Sequence, residues 1–407
     1  MKRICVLIIV VCIIISVFTT GCKDSITQDD TTPCDSTTFD STGYDTTHGD
    51  EVVYMSLDGD HNTVGVYVLD PYEFTFIDSF KTPYTPASTV FSPDFATWYI
   101  HTYNEPEPYI YQQEIWYVDG ITKSVAAVEP YDRFVDFDIS LDGEFLFLNN
   151  DQTYDLRMVD TQTREVVHQD TTMELRRIVS SPIRTVVYGV GRYRLPDGTI
   201  TIRVGAYDYV EKVWIWLEPY NTEELMAAFY WGYSWSFVVS PDDKHLFMRC
   251  SNGFGVGYFY NIDTEYGEVL YSTSTNTWHD LAVSPDGRHV YFTDPGEALI
   301  FTDTPINGWL WRYDVLCREI VPYISIADLN PDCIPGLLTS ERMVVLSDNR
   351  TGIISGGWNK CWENSNVDIY KRIFKVDLES KELLEAIRMP HHLSNYALSM
   401  TKGERPQ

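Results

Sequence analysis

The chain reads as an all-β protein, a seven-bladed β-propeller of four-stranded antiparallel blades, on three observations. A phrase built on Ser-Pro-Asp-Gly recurs along it, and a second phrase of alternating apolar residues ending in Asp recurs beside it. The two ends of the folded region also look like complementary parts of one unit.

In chain order, the first element is an address rather than a blade. Lys2 and Arg3 precede an apolar run from Ile4 to Phe18 broken only by Ser16, the layout of a secretory signal. At about 1.5 Å per residue this run falls short of a bilayer core of about 30 Å, so cleavage is expected rather than spanning. Thr19-Thr20-Gly21-Cys22 resembles the bacterial lipobox, in which small residues precede a Cys that becomes diacylated; Thr19 stands where an aliphatic residue is usual. The resemblance implies a lipoprotein signal over residues 1–21, lipidation of Cys22 and an address at the cell envelope, with the outer membrane favoured, facing either the periplasm or the surface. Membrane association is expected through Cys22, because the chain carries 30 Lys plus Arg against 59 Asp plus Glu, a formal charge of −29, which anionic headgroups repel. The same charge argues against a nucleic-acid partner, whose phosphates are bound by clustered cations. Residues 22–50 turn to Asp, Thr and Ser with almost no large apolar side chains, too little to offset the entropy of ordering, and read as a flexible tether.

The remainder, 51–407, is the propeller. Val283-Ser284-Pro285-Asp286-Gly287 is echoed at Ser92, Ser140, Ser181 and Ser240, and more weakly at Ser340 and Ser399. The Asp phrase ends at Asp70, Asp119, Asp160, Asp208, Asp263, Asp314 and Asp377, and the steps to the following Ser are 22, 21, 21, 32, 21, 26 and 22 residues. Each unit, averaging about 51 residues, falls in the range of propeller blades. Period-two stretches such as Leu310-Trp311-Arg312-Tyr313 argue for strands, and Pro, Asp and Gly supply the turn chemistry. The last unit ends after one strand, whereas Glu51 to Ser56 resembles a second strand, so the termini are expected to complete one blade and close the ring.

These motifs resemble the YVTN-type and related Ser-Pro-Asp-Gly bacterial propellers, a group that includes lactonase-like proteins, over residues 51–407. The resemblance implies the fold far more specifically than any activity.

Within the longer units, Thr222 to Phe229 suggests a helical turn or two, and 327–335 and 349–367 read as long loops, where function tends to be carried on rigid scaffolds. Gly253-Phe254-Gly255-Val256-Gly257 reads as a hairpin, and Asp58, Asp60 and Asn62 lack the later ligands of a calcium loop, so neither metal nor other cofactor is expected. Cys317 is a candidate to pair with Cys333 or Cys361, with buried free thiols as the alternative.

Residues just before each repeat Ser should ring one mouth of the channel: Arg133, Arg176, Arg177, Trp235, Trp278, His279, His391 and His392. Of these His279, Arg133, Arg176 and His392 are the candidates for an Arg/His catalytic site that could hold a carboxylate, phosphate or lactone oxygen, and Trp235 and Trp278 for ligand binding. Alternating aromatics such as Trp309, Trp311 and Tyr313 are expected to pack between blades. No nucleophile elbow, zinc-protease motif or phosphate loop is present. The reading is therefore a monomeric, non-catalytic envelope propeller binding a protein or glycan, with a lactonase-like hydrolase or isomerase and a structural assembly component as alternatives.

Overall fold

The computed structural model describes residues 51–405 apart from 60–63, 108–109, 132–133, 151–154, 218–233, 252–256, 276–279, 295–308, 326–337, 359–371 and 389–392. The described residues form strands and turns. The chain opens with β1 (Glu51–Gly59), β2 (Gly65–Asp70) and β3 (Thr75–Lys81). Six complete blades follow: β4 (Thr85–Phe91) to β7 (Val125–Tyr131) through β5 (Thr97–Glu107) and β6 (Ile110–Asp119); then β8 (Phe134–Ile139), β9 (Phe145–Asn150), β10 (Leu156–Asp160) and β11 (Val166–Asp170). Blade 3 holds β12 (Met173–Ser180), β13 (Val186–Arg194), β14 (Ile200–Asp208) and β15 (Val213–Trp216), and blade 4 holds β16 (Ser234–Val239), β17 (His245–Ser251), β18 (Gly257–Asp263) and β19 (Val269–Thr275). Blade 5 is β20 (Asp280–Val283), β21 (His289–Asp294), β22 (Trp309–Asp314) and β23 (Glu319–Ser325); blade 6 is β24 (Leu338–Val345), β25 (Thr351–Trp358), β26 (Arg372–Asp377) and β27 (Glu382–Arg388). Finally β28 (Leu393–Glu404) joins the first three strands in the order β28-β1-β2-β3, completing seven four-stranded antiparallel sheets. The first strands of consecutive sheets touch in turn, β4 to β8 to β12 to β16 to β20 to β24 to β28 and back to β4, which closes the ring and puts them around its channel.

The expected closure is present: Met55 pairs with Met400 and Leu57 with Ala397 in one sheet. The carboxylate of Glu51 clasps the seam between this blade and blade 6, accepting from Ser347 N–H at 2.9 Å and Ser347 Oγ at 2.7 Å on one oxygen, and from Tyr72 Oη at 2.7 Å on the other.

Both repeated phrases are turn chemistry. All seven phrase-ending Asp residues close the third strand of a blade, and in every case Oδ1 accepts the backbone N–H groups two and three residues on, at 2.7–3.0 Å. The residue four on then takes a left-handed conformation, at Phe74, Lys123, Arg164, Lys212, Gly267, Arg318 and Lys381. In the Ser-Pro-Asp-Gly turns, Ser Oγ donates to Asp Oδ1 at 2.5–2.6 Å in the turns at Ser92, Ser140, Ser240 and Ser284. The same Oγ accepts the N–H five residues on, from Thr97, Phe145, His245 and His289.

Two of the weaker echoes are corrected by the topology. The blade 6 turn is Leu346-Ser347-Asp348-Asn349-Arg350, with Leu346 N–H bonded to Thr351 O as the repeat Ser is elsewhere, so Ser340 lies inside β24. Ser399 likewise lies inside β28, opposite Ser56, because the corresponding turn is replaced by the two ends of the ring. The Thr222–Phe229 expectation lies outside the described residues.

Seven apolar clusters fill the seven seams between blades. Between the closing blade and blade 1, Val52, Tyr54 and Val68 meet Phe91, Trp98 and Ile100, and burial of each large apolar side chain contributes about 1.5–3 kcal/mol. Tyr313 is fully buried as expected, whereas Trp309 at the far end of its strand is 37% exposed.

Candidate functional site

Antiparallel order sorts the connections by rim. Turns between first and second and between third and fourth strands share one rim, and these are the tight turns just described. Every connection from second to third strand, or from one blade to the next, leaves the opposite rim, and the longest, 217–233, 295–308, 326–337 and 359–371, all belong there. The inner strands begin at that rim, so their first residues surround the corresponding mouth of the channel.

Those strands carry a shared irregularity. Counting back from the turn residue (Ser92, Ser140, Ser181 or Leu346), the fifth position is an unpaired bulge residue in four inner strands: Ala87, Val135, Arg176 and Glu341. Bulges bend a strand and re-aim its side chains, and they gather beside functional sites. The next position holds Ser88, Asp136, Arg177, Ser236, Asp280 and Arg342 in blades 1 to 6.

At this level two couples repeat in the same blade-to-blade sense. Arg177 Nη1 lies 3.8 Å from Asp136 Oδ1, across blades 2 and 3, and Arg342 Nη1 lies 3.2 Å from Asp280 Oδ1, across blades 5 and 6. The guanidinium-bearing side chains keep 30% and 36% of their surface exposed, against 22% and 19% for the carboxylates, so the cations are the more accessible members. Below them, Asp136 Oδ2 accepts Ile178 N–H at 3.0 Å and Asp138 Oδ2 accepts Ser180 N–H at 2.6 Å. These two carboxylates satisfy edge donors of β12 that would otherwise face the channel unpaired. Burial outweighs those bonds and pushes Asp138 up to about 6, with the charge of Asp136 adding to the rise. Burial also raises Asp136, with Arg177 and the Ile178 N–H pulling the other way. The mouth thus offers two Asp–Arg couples, with Ser88 and Ser236 at the same level in blades 1 and 4, able to orient a polar ligand, and one carboxyl able to carry a proton near pH 6.

The expected site residues divide accordingly. Arg176 stands on the β12 bulge and Arg177 beside it in the couple with Asp136. Trp235 lies in β16, at the same level as Arg176. Arg133, Trp278, His279, His391 and His392 lie outside the described residues, as do Cys22 and the metal-like trio beyond Asp58. Sequence reading missed Asp136, Asp280 and Arg342; counting back from each turn rather than scanning for Arg and His would have found the first two. Cys250 is a buried free thiol and Cys317 is disulfide-bonded. Its partner, and both Cys333 and Cys361, lie outside the described residues.

No protein-family model and no curated protein matches the chain. Among solved structures, a Bacteroides uniformis protein provisionally named 6-phosphogluconolactonase aligns at TM-score 0.56 and 11% identity, over 87% of this chain and 100% of that one. A Bacteroides fragilis protein with the same provisional name aligns at 0.51 and 10%, over 89% and 100%. A functionally unknown protein from Desulfotomaculum acetoxidans aligns at 0.52 and 11%, over 85% and 98%. At such identities the likeness is one of fold.

Proposed function

We propose that this chain is a lipid-anchored binding propeller of the cell envelope, moored through Cys22, that takes a protein or glycan ligand at the long-connection rim without transforming it. The observation that supports this reading is the asymmetry of the ring. The twenty-eight strand ends of one rim meet in thirteen short hydrogen-bonded turns or at the paired termini, and the long connections all leave the other rim, which carries a bulged, charged mouth. The folded ring begins, at Glu51, on the tight-turn rim, opposite the rim of the proposed binding surface.

The test compares the mature chain with a variant whose 359–371 connection is cut to a short Gly-Ser link. Retention of envelope proteins or glycans by the mature chain, lost in a variant of unchanged melting temperature, is the expected result; no retention by either, or equal retention by both, refutes the reading. Cys22→Ser is expected to move the protein from the membrane to the soluble fraction.

The lactonase-like reading is favoured by the provisional names of the two Bacteroides neighbours of like fold. It places Arg133, Arg176, His279 and His392 at the same mouth. Turnover of an aldonolactone by the mature chain, abolished in His279→Ala and Arg133→Ala, would establish it in place of the first; no turnover removes it.

A further inference from the structure

The phrase Asp-Ser/Thr-Thr begins at Asp30, Asp35, Asp40 and Asp45, a strict five-residue period within a segment that has no core to build. Asp24-Ser25-Ile26 is a looser copy one residue out of step. In the propeller the phrase occurs once, at Asp170-Thr171-Thr172, where the structure shows what it does to the chain.

There the carboxylate of Asp170 engages the third residue twice, accepting Thr172 N–H on Oδ1 at 2.9 Å and the Thr172 hydroxyl on Oδ2 at 3.1 Å. The Trp214 indole N–H donates to Oδ1 at 2.9 Å and fixes the carboxylate from the next blade. Both threonines are exposed, and with the third hydroxyl taken, the middle one, on Thr171, has no partner among the described residues. Other Asp-Thr pairs of the propeller behave differently: Thr161 Oγ1 is consumed by Gly143 O, and Thr264 Oγ1 by Asp243 O. In neither is the third residue Thr. At Asp170 the phrase thus ties down its own third residue and leaves the central hydroxyl presented.

We propose that the middle residues of this phrase, Thr31, Ser36, Ser41, Thr46 and Thr171, are acceptors of O-linked glycosyl groups. A segment rich in Ser and Thr and poor in large apolar residues gains bulk and solubility from such groups. The bond formed joins the hydroxyl oxygen to the anomeric carbon of a glycosyl phosphate donor. The anomeric carbon–oxygen bond to phosphate breaks, the phosphate leaves with the electron pair, and the hydroxyl proton passes to a base of the transferring enzyme.

The test is intact-mass and peptide mass spectrometry of the full chain purified from its native cells. Saccharide increments are expected on the peptides covering residues 23–50 and Thr171, and none on Thr161 or Thr264. In Ser36→Ala and, separately, in Asp35→Asn, which keeps the hydroxyl, one increment is expected to disappear. A bare polypeptide mass, a phosphate increment, or increments spread over Ser and Thr outside the phrase overturns the proposal. So does an Asp35→Asn chain modified as fully as the unsubstituted one.

Discussion

At the scale of the residue, Asp138 couples the channel to pH. A carboxyl raised from 3.8 to about 6 keeps its proton longer folded than unfolded. Its contribution to stability is therefore complete below the unfolded value and lost as pH rises through 6. His101 and His289 act in the opposite sense: burial lowers them to about 3 and about 4, so the unfolded chain binds protons there first and stability is lost as pH falls below the usual histidine range. Comparing the protein with Asp138→Asn isolates the carboxyl, since Asn still accepts from Ser180. The stability of the variant relative to the parent is expected to rise between pH 5 and pH 7.5, by about 1 kcal/mol. Urea midpoints across that range measure it, and a difference independent of pH would refute the assignment. Legibility at this scale was partial. Arg176 and Arg177 stand out as adjacent cations before a Ser, but Asp136 looks like any strand Asp until its β12 partners are known. Arg342 was hidden because its turn lacks the Ser from which to count.

At the scale of the element, the turns carry both the legible and the illegible parts of the fold. Asp and Gly announce their chemistry wherever the phrase is intact, and fail to announce it at Leu346, where apolar burial took the place of the Ser hydroxyl. The turns also rank substitutions. Gly287 sits at φ 71° with nothing nearer than 3.7 Å to an added Cβ, so Gly287→Ala is expected to cost only the backbone strain of about 1–2 kcal/mol. At Gly143, φ 76°, the same methyl would also meet Pro93 Cδ at 2.9 Å, so Gly143→Ala is expected to cost more. Thermal unfolding of the two variants side by side checks the order. Lys212, at φ 59° and exposed, is expected to gain up to about 1 kcal/mol on change to Gly, readable as a higher denaturant midpoint. Asp160→Ala, which frees the N–H groups of Gln162 and Thr163, is expected to lower stability by about 1 kcal/mol, readable as a lower midpoint.

At the scale of the whole ring, closure was readable from the fit between a last unit that stops after its first strand and a beginning that opens on a second one, while the clasp that secures it was not. Glu51 looks like the polar start of a strand; only the ring brings Ser347, 296 residues away, to its carboxylate. Removing a charged acceptor of this kind costs about 1.5–3 kcal/mol per bond at most, less where solvent can substitute. Glu51→Ala is therefore expected to lower the unfolding midpoint, whereas Glu51→Asp, too short to span both partners, recovers part of it. Equal stability of Glu51→Ala and the parent would show the clasp to be idle.

The antiparallel fit of β1 between β28 and β2 also sets how the ring answers a pull. Tension between residue 51 and anything gripping the far rim runs along the axis of β1, so the rungs on both its sides share the strain at once. Drawing residues 51 and 404 apart instead would peel β28 away one rung at a time. A single ring can thus be stubborn when pulled by residue 51 against its far rim and yielding when its first and last strands are parted at their shared end.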